Sequence, residues 1–259
     1  MKPSISLIIP VYNEQSRLSG CVDVLTSWKA GRGYSIHEII FVNDGSTDGT
    51  LQKLRRVKNK ISKFQHAPVR IISYRKNKGK GFAVKSGVFA ASGDFILTLD
   101  VDMSTHPGEI HKFLRAIQRG ADVIVGTRKN GHSTVIEHQP FLRETFGHIF
   151  TALTHAIVPS RVTDYTCGFK AFRKNAGYTI FSQLTVNRWA YDVESLSLAT
   201  KYGFTIAEVP VIWTDKEGTK VELWRDAPMS LLALLQIRLN YLIGQYMTTK
   251  NMEMATINA

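Results

Sequence analysis

The 259-residue sequence predicts an α/β domain with a mostly parallel central sheet. Short apolar segments alternate with segments of helical length along the first half of the chain. The predicted strands are 5–9, 38–42, 69–73, 94–99 and 121–125, and the predicted helices between them are 15–29, 48–63, 79–91 and 107–119. Strands that are joined through helices form parallel sheets with helices on both faces. This alternation therefore defines the fold class.

The second half of the chain has a different organisation. Apolar residues recur at helical spacing in Phe141–Val158 and Ala190–Tyr202, and a long helix is predicted from about Asp226 to Met247. Thr163–Phe172 is expected to be extended, and Thr205–Trp213 is expected to be a strand that Pro210 interrupts. We therefore predict one catalytic domain over residues 1–225. Residues 226–259 are expected to form an amphipathic helix and tail that pack on this domain or on a membrane surface.

Composition narrows the classes of partner. There are 33 basic and 21 acidic residues, which give a formal net charge of +12 and favour anionic partners. No recognition-helix or RNA-binding signature accompanies the basic residues, so nucleic acid is not expected. Two distant cysteines indicate a reducing, cytoplasmic compartment. The N-terminus enters a strand pattern directly, so no signal peptide is expected.

Polar side chains follow the carboxyl ends of several predicted strands. They are Glu14, Asp44, Asp100, Asp102 and Arg128. In open α/β sheets the ligand crevice lies at this edge. Residues that are far apart in the sequence are therefore expected to meet at one rim.

The segment Asp100-Val101-Asp102 follows the fourth predicted strand. In an extended chain, residues i and i+2 point the same way, so both carboxylates can face one ion. Two hard oxygen ligands suit Mg²⁺ or Mn²⁺, with diphosphate oxygens completing the shell. The alternative is that a strand-end aspartate caps the helix near His106. We predict a metal site at Asp100 and Asp102.

The ends of the first two strands suggest a nucleoside pocket. Asp44 is placed to accept hydrogen bonds from a base, and the segment from Pro10 to Glu14 is placed to form the other wall. Tyr12 is equally compatible with ordinary packing. Asp48 is interpreted as a helix cap rather than a ligand.

Basic residues near the same rim suggest phosphate binding. Lys80 lies in a Gly- and Lys-rich loop before a helix, which is compatible with a phosphate cradle or with a solvated turn. Arg128, Arg143 and Lys170 together suit an anionic acceptor, although surface salt bridges are the default for any one of them.

These motifs resemble those of the family 2 glycosyltransferases, which have the GT-A fold. The matching segments are IIPVYNE, VNDGSTDGT, GKG, DVDMS and GTR, which occur in the expected order over residues 4–128. The second half resembles the dolichyl-phosphate glucosyltransferases and related polyprenyl-phosphate glycosyltransferases. That likeness rests on Thr163–Phe172, Arg188–Glu194, Glu208–Trp213 and Glu217–Lys220.

The resemblance implies UDP-glucose as donor and a polyprenyl or dolichyl phosphate as acceptor. It implies roles for the residues at matching positions: Pro10, Tyr12, Glu14 and Asp44 would hold the nucleoside, Asp100 and Asp102 with Ser104 would hold the metal, and Arg128 and Arg143 would meet the lipid phosphate. The residues Met103–His106 look closer to the mannosyltransferase relatives. A GDP-mannose donor therefore stays an alternative, as does a sugar-nucleotide or membrane-binding module without activity.

A lipid phosphate has a second pKa of roughly 6 and is already nucleophilic near neutral pH. A single displacement would then invert the anomeric configuration without a strong general base. Asp100, Asp102, Arg128 and Asp192 are the candidate catalytic residues. Asp192 and Glu194 are expected either to orient sugar hydroxyls, to act as a base, or to have a structural role.

No segment offers the roughly 20 apolar residues of a membrane-spanning helix. The best candidate, Met229–Met247, has Arg238 near its middle, and Phe141–Val158 carries Arg143 and two histidines. We therefore predict interfacial helices on the cytoplasmic side of a membrane, attracted to its anionic lipids. Ordinary core packing of both helices is the alternative.

Overall fold

The structure is a computed structural model, which describes residues 2–129, 134–137, 141–158, 162–216 and 223–246. Within these residues, seven strands form one sheet in the order β3-β2-β1-β4-β7-β5-β8, and β6 and β9 form a second, parallel pair. The strands are β1 (Ser4–Val11), β2 (Ser35–Asp44), β3 (Val69–Tyr74), β4 (Phe95–Thr98), β5 (Val123–Thr127), β6 (Thr134–Glu137), β7 (Lys170–Arg173), β8 (Ile206–Pro210) and β9 (Ile212–Thr214).

The helices cover both faces of the large sheet. They are α1 (Leu18–Ser27), α2 (Thr50–Gln65), α3 (Lys80–Ala90), α4 (Ile110–Gln118), α5 (Phe141–Ile157), α6 (Lys174–Ser182), α7 (Tyr191–Lys201) and α8 (Leu223–Leu242). A 3₁₀ turn over Pro107–Glu109 precedes α4.

Side chains alternate between two cores because successive residues of a strand point to opposite faces of the sheet. In β1, Leu7 and Ile9 pack against α1, α2 and α4, whereas Ile8 packs against α3, α6 and α7. All three side chains are fully buried. Burial on both faces explains why the parallel strands are nearly continuous apolar runs.

Strand direction places the functional edge. Strands β1, β2, β3 and β4 are parallel to one another, and β7 is antiparallel to both β4 and β5. Strand β5 therefore runs in the same direction as β4, and β8 is parallel to β5. The carboxyl ends of β1, β2, β4 and β5 consequently lie at one edge of the sheet.

The predicted fold class is confirmed. The observed helices and strands differ from the predicted ones mainly in the second half of the chain. The predicted extended segment Thr163–Phe172 forms a strand only from Lys170, and α6 follows at once in a segment for which no helix was predicted. The strand predicted over Thr205–Trp213 is divided at Val211 into β8 and β9. Periodicity failed here because these elements are short and take their register from neighbours in the sheet.

The last helix is displaced from its predicted bounds. It begins at Leu223 and ends at Leu242, whereas Asp226 to Met247 was expected. The tail beyond residue 246 lies outside the described residues, and the predicted boundary at 225 stays a prediction. None of the helices in the described part of the chain is long and apolar enough to cross a membrane.

Helices α5 and α8 pack on each other and leave an apolar surface uncovered. We call it the α5–α8 face; its exposed residues are Ile149, Leu153, Met229, Leu231, Leu232, Leu235, Leu239, Leu242 and Ile243. The opposite side of α8 is buried through Leu234 and Ile237. Helix α8 is therefore docked on the domain along one side and apolar on its outward side as well.

Candidate active site

The two acidic residues after β4 lie in a tight turn. The amide of Met103 donates to the carbonyl of Asp100 at 3.1 Å, and Met103 has a φ of 56°. The amide of Ser104 donates to Oδ1 of Asp102 at 3.0 Å. The prediction that Asp100 and Asp102 share an extended strand is therefore wrong in its backbone geometry. The turn nevertheless holds both carboxylates, each partly exposed, at the end of the sheet.

Lys80, the first residue of α3, pairs with the acidic turn. Its Nζ lies 2.7 Å from Oδ1 of Asp100 and 5.4 Å from the ring centroid of Trp189. Burial alone would lower the pKa of Lys80, but the carboxylates of Asp100 and Asp192 outweigh burial and raise it. The ammonium therefore stays charged at the position where a phosphate would approach the acidic pair.

The pKa values of the two carboxylates of the turn are shifted in opposite directions. Burial would raise the pKa of Asp100, but the neighbouring ammonium of Lys80 outweighs burial and lowers it. Burial and the charge of Asp100 both raise the pKa of Asp102. The charge of Asp100 therefore acts on Asp102 across the turn.

The residues present fit a hard divalent cation. Among the side chains that the structure describes, no group of three or more His, Cys, Asp and Glu residues converges in the manner of a closed metal site. Asp100 and Asp102 would therefore supply two oxygens, and diphosphate oxygens or water would complete the shell. Ser104 contacts Asp102 through its backbone amide, which fixes the orientation of that carboxylate.

Asp44 organises the loop before α3. Its carboxylate accepts hydrogen bonds from the amides of Lys78 and Gly79 at 2.8 and 2.9 Å, and from Nδ2 of Asn77 at 2.8 Å. The adjacent Gly45 has a φ of 67°, and a Cβ there would lie 2.5 Å from the backbone of this loop. Asp44 thus positions the segment that carries Lys80. Its predicted contact with the base stays a prediction.

The end of β1 contributes one buried and one exposed side chain. Glu14 is 5% exposed, and its carboxylate accepts from Nε and Nη2 of Arg17 at 2.7 and 2.5 Å. Tyr12 is 37% exposed at the rim, and Pro10 lies within β1. Arg17 was not singled out in the sequence, because a basic residue six positions after a strand has no distinctive pattern.

Arg128, which follows β5, is held by a fully buried partner. Its Nε and Nη2 lie 2.7 and 2.8 Å from the carboxylate oxygens of Asp164, and Nη2 also donates to the Thr166 hydroxyl at 2.9 Å. The guanidinium lies over the Trp213 ring at 5.2 Å. Burial would raise the pKa of Asp164, but Arg128 outweighs it and lowers that pKa strongly. Only part of the guanidinium is left for an acceptor phosphate.

Lys170 is placed differently from the expectation. Its side chain is 1% exposed, and Nζ donates to the carbonyls of Tyr165 and Cys167 and to Oδ1 of Asp192, the last at 2.6 Å. All three ammonium protons are taken up inside the protein. The geometry therefore favours a positioning role for Lys170, as the partner of Asp192, over the predicted contact with the acceptor phosphate.

Glu194 has a structural position. It is fully buried and accepts hydrogen bonds from the amide and hydroxyl of Thr185, from the amide of Val186 and from the Tyr246 hydroxyl. Asn240 of α8 donates to the Thr185 hydroxyl at 3.1 Å. Of the roles considered for Glu194, the structural one is supported by these contacts.

A cavity of about 580 Å³ opens beside Asp102. Arg17, Met103, Ser104, His106, Ile212 and Lys216 are among its lining residues. Two cationic side chains therefore face the space next to the acidic turn. The side chain of Arg143 and the segment Glu217–Lys220, both singled out in the sequence, lie outside the described residues.

An acidic pair at the carboxyl ends of mostly parallel strands, with cationic side chains around it, is an arrangement compatible with the GT-A fold of glycosyltransferases. The chain belongs to glycosyl transferase family 2, whose model matches residues 6–181. The chain is accordingly a glycosyltransferase. It is 32% identical over 253 residues to the dolichyl-phosphate beta-glucosyltransferase of Homo sapiens, with 93% of this chain and 77% of that protein covered.

Solved structures share the fold at low sequence identity. A glucosyl-3-phosphoglycerate synthase from Mycobacterium tuberculosis, in complex with UDP, is 19% identical with a TM-score of 0.61, over 91% of this chain and 80% of that one. A mannosyltransferase from Pyrobaculum calidifontis, in complex with GDP-Man and Mn²⁺, is 16% identical with a TM-score of 0.59, over 91% and 63%. These likenesses confirm the GT-A fold.

Gly168 tests the packing of the acidic turn. A Cβ at this position would lie 2.1 Å from Oδ2 of Asp100, so Gly168→Ala must displace that carboxylate. We expect donor turnover, followed as release of nucleoside diphosphate, to fall by about 10- to 100-fold. Gly147→Ala in α5 is the control, because a Cβ there would meet no described atom outside its own helix within 4 Å. Equal rates for the two variants would contradict this view of the turn.

The Arg128–Asp164 pair predicts a pH-dependent contribution to stability. The folded-state pKa of Asp164 is lowered, so its contribution is present above the unfolded pKa of about 4 and is lost as the pH falls below it. Asp164→Asn should reduce the free energy of unfolding by roughly 3–5 kcal/mol at pH 7. The difference from wild type should narrow below about pH 4.

Urea unfolding at pH 7, 5 and 3.5 measures this difference. Asp122→Asn is the matched control, because Asp122 pairs at 3.0 Å with Arg173 in a partly exposed site. Its loss should be about 1 kcal/mol or less. A loss for Asp164→Asn that is independent of pH would show that the buried charge is not what stabilises the fold.

Proposed function

We propose that this chain transfers glucose from UDP-glucose to a polyprenyl or dolichyl phosphate at the cytoplasmic face of a membrane. The acidic turn at Asp100 and Asp102, with Lys80 beside it, is the observation that carries the proposal. The likeness to the human dolichyl-phosphate beta-glucosyltransferase over 93% of the chain supports the choice of sugar and acceptor.

Mg²⁺ or Mn²⁺ held by Asp100 and Asp102 would neutralise charge on the departing diphosphate. Lys80 lies 2.7 Å from Asp100, so its ammonium is placed to contact the same diphosphate. The solved structures of two fold neighbours, one in complex with UDP and one with GDP-Man and Mn²⁺, support a nucleoside diphosphate at this rim.

The chemistry is a single displacement. An oxygen of the acceptor phosphate forms a bond to the anomeric carbon as the bond from that carbon to the β-phosphate oxygen breaks. The electron pair leaves with the nucleoside diphosphate, and the configuration inverts. The acceptor's second pKa of roughly 6 makes it a competent nucleophile near neutral pH, so the protein has to align it rather than deprotonate it.

Arg128 is the best-placed residue for the acceptor phosphate. Asp164 and Thr166 engage Nε and Nη2 and fix the plane of the guanidinium, which leaves Nη1 as a donor. Arg143 stays a proposed second contact. Asp192 accepts a hydrogen bond from Lys170. We propose that Asp192 holds the strand-end loop in place rather than removing a proton.

Transfer into lipid tests the donor, the acceptor and the acidic pair together. Purified protein with Mn²⁺ or Mg²⁺, UDP-[¹⁴C]glucose and a short polyprenyl phosphate should move label into the organic phase. Asp102→Asn should lower the single-turnover rate by about 100-fold or more, because a ligand charge is lost at the developing diphosphate.

Asp48→Asn is the matched control, because Asp48 caps a turn at the same rim by accepting from the Thr50 amide at 2.9 Å. Full rate in Asp102→Asn would remove the metal role. Competition by GDP-mannose but not by UDP-glucose would favour the mannosyl alternative, for which Met103–His106 is the sequence observation. Donor binding without transfer to any lipid phosphate would favour the non-catalytic module.

The α5–α8 face is proposed to lie on the bilayer that contains the acceptor. Leu232, Leu239 and Leu242 are 66, 54 and 69% exposed, and the chain carries a net charge of +12. An apolar face on a cationic protein matches the interfacial region of an anionic membrane.

Flotation with vesicles of phosphatidylcholine and phosphatidylglycerol tests this contact. Wild-type protein should float with anionic vesicles, and a Leu232→Glu/Leu239→Glu variant should lose most of this binding because two apolar contacts become charged. Phe64→Glu on α2, where an apolar side chain is 54% exposed, is the control and should float normally. Wild-type protein that stays in the bottom fraction would count against the contact.

A further inference from the structure

Arg17 connects the end of β1 to the acidic turn. Its Nε and Nη2 are both used by the carboxylate of Glu14, at 2.7 and 2.5 Å. Its third nitrogen, Nη1, lies 3.9 Å from Oδ2 of Asp102. The fork is therefore anchored on one side and directs its remaining nitrogen to the second residue of the acidic pair.

Each carboxylate of the acidic turn has an intramolecular cation beside it. Lys80 lies against Asp100, and Arg17 lies near Asp102. An arginine guanidinium stays protonated in proteins, so Arg17 is a permanent cation beside the turn. Arg17 also faces the cavity beside Asp102, where an incoming anionic group has room.

We infer that Arg17 changes its charged partner from Asp102 to the donor diphosphate when a divalent cation binds. Without a divalent cation, its Nη1 compensates the charge of Asp102. When the cation takes Asp102, Nη1 is left to bind an oxygen of the donor diphosphate while Glu14 keeps the rest of the guanidinium in place. This inference rests on the proposed function, because it assumes a cation at the acidic pair and a nucleoside diphosphate beside it.

The exchange predicts opposite effects of one substitution on two ligands. A positive charge near Asp102 opposes cation binding when no nucleotide is present. Arg17→Met should therefore lower the dissociation constant for Mn²⁺ alone by about 3- to 10-fold. The same charge favours the diphosphate, so Arg17→Met should weaken binding of UDP at saturating Mn²⁺ by about 10-fold.

Both constants are measured without turnover. Electron paramagnetic resonance of unbound Mn²⁺ gives the first, and titration calorimetry with UDP gives the second. Arg70→Met is the matched control, because Arg70 pairs at 2.7 Å with the buried Glu38 away from the acidic turn. It should change neither constant. Arg17→Lys keeps one charge without the fork, so Mn²⁺ affinity should stay near the wild-type value and UDP affinity should fall.

The outcomes separate the inference from the proposed function. Wild-type protein that binds neither Mn²⁺ nor UDP would contradict the proposed function itself. If wild type binds both and Arg17→Met weakens both, Arg17 only maintains the shape of the site and the inference fails. Unchanged constants in Arg17→Met and Arg17→Lys would also overturn it.

Discussion

Repulsion between carboxylates gathered at one edge of the sheet is the constraint on which the site depends. Asp100 and Asp102 are close enough for the charge of one to raise the pKa of the other. The fold places a cation beside each of them: Lys80, at the start of α3, pairs with Asp100, and Arg17, before α1, lies near Asp102. The parallel strands bring them together, because all of the elements concerned meet at the carboxyl edge.

Close backbone approach is the second condition that this arrangement requires. Gly168 lies against the carboxylate of Asp100, and Gly79 lies against the backbone carbonyl of Asn187. A side chain at either position would occupy the space of an atom already present. The loops around the acidic turn are thereby packed closely against one another.

The sequence predicted the first five strands and the edge of the sheet at which Asp44, Asp100 and Arg128 lie, because those features are local. Each of these strands is a mainly apolar segment, and the three polar residues stand at or just after the strand ends. The partners of these residues were not predictable. Asp164 is 36 positions from Arg128, and the pairing arises only because β7 enters the sheet between β4 and β5.

The burial of Lys170 was also not predictable from the sequence. A lysine in a Gly- and aromatic-rich segment is normally solvated, and nothing in its neighbours indicates burial. Its ammonium is nevertheless enclosed by two carbonyls and by Asp192. Such an environment is a product of tertiary structure, so a sequence pattern cannot distinguish a ligand-binding lysine from a buried one.

The hydrogen bonds of Glu194 join the C-terminal segment to the rim. This carboxylate holds Thr185 and Val186, and the carbonyl of Asn187 accepts from the amide of Phe82, two residues after Lys80. The hydroxyl of Tyr246, in the C-terminal segment, also donates to the carboxylate of Glu194. Shortening the protein before this tyrosine, a common step to improve handling of apolar tails, would remove one hydrogen bond to the buried Glu194 and weaken the segment that supports Lys80. Removal of this C-terminal segment would therefore affect the part of the molecule that contains the proposed active site.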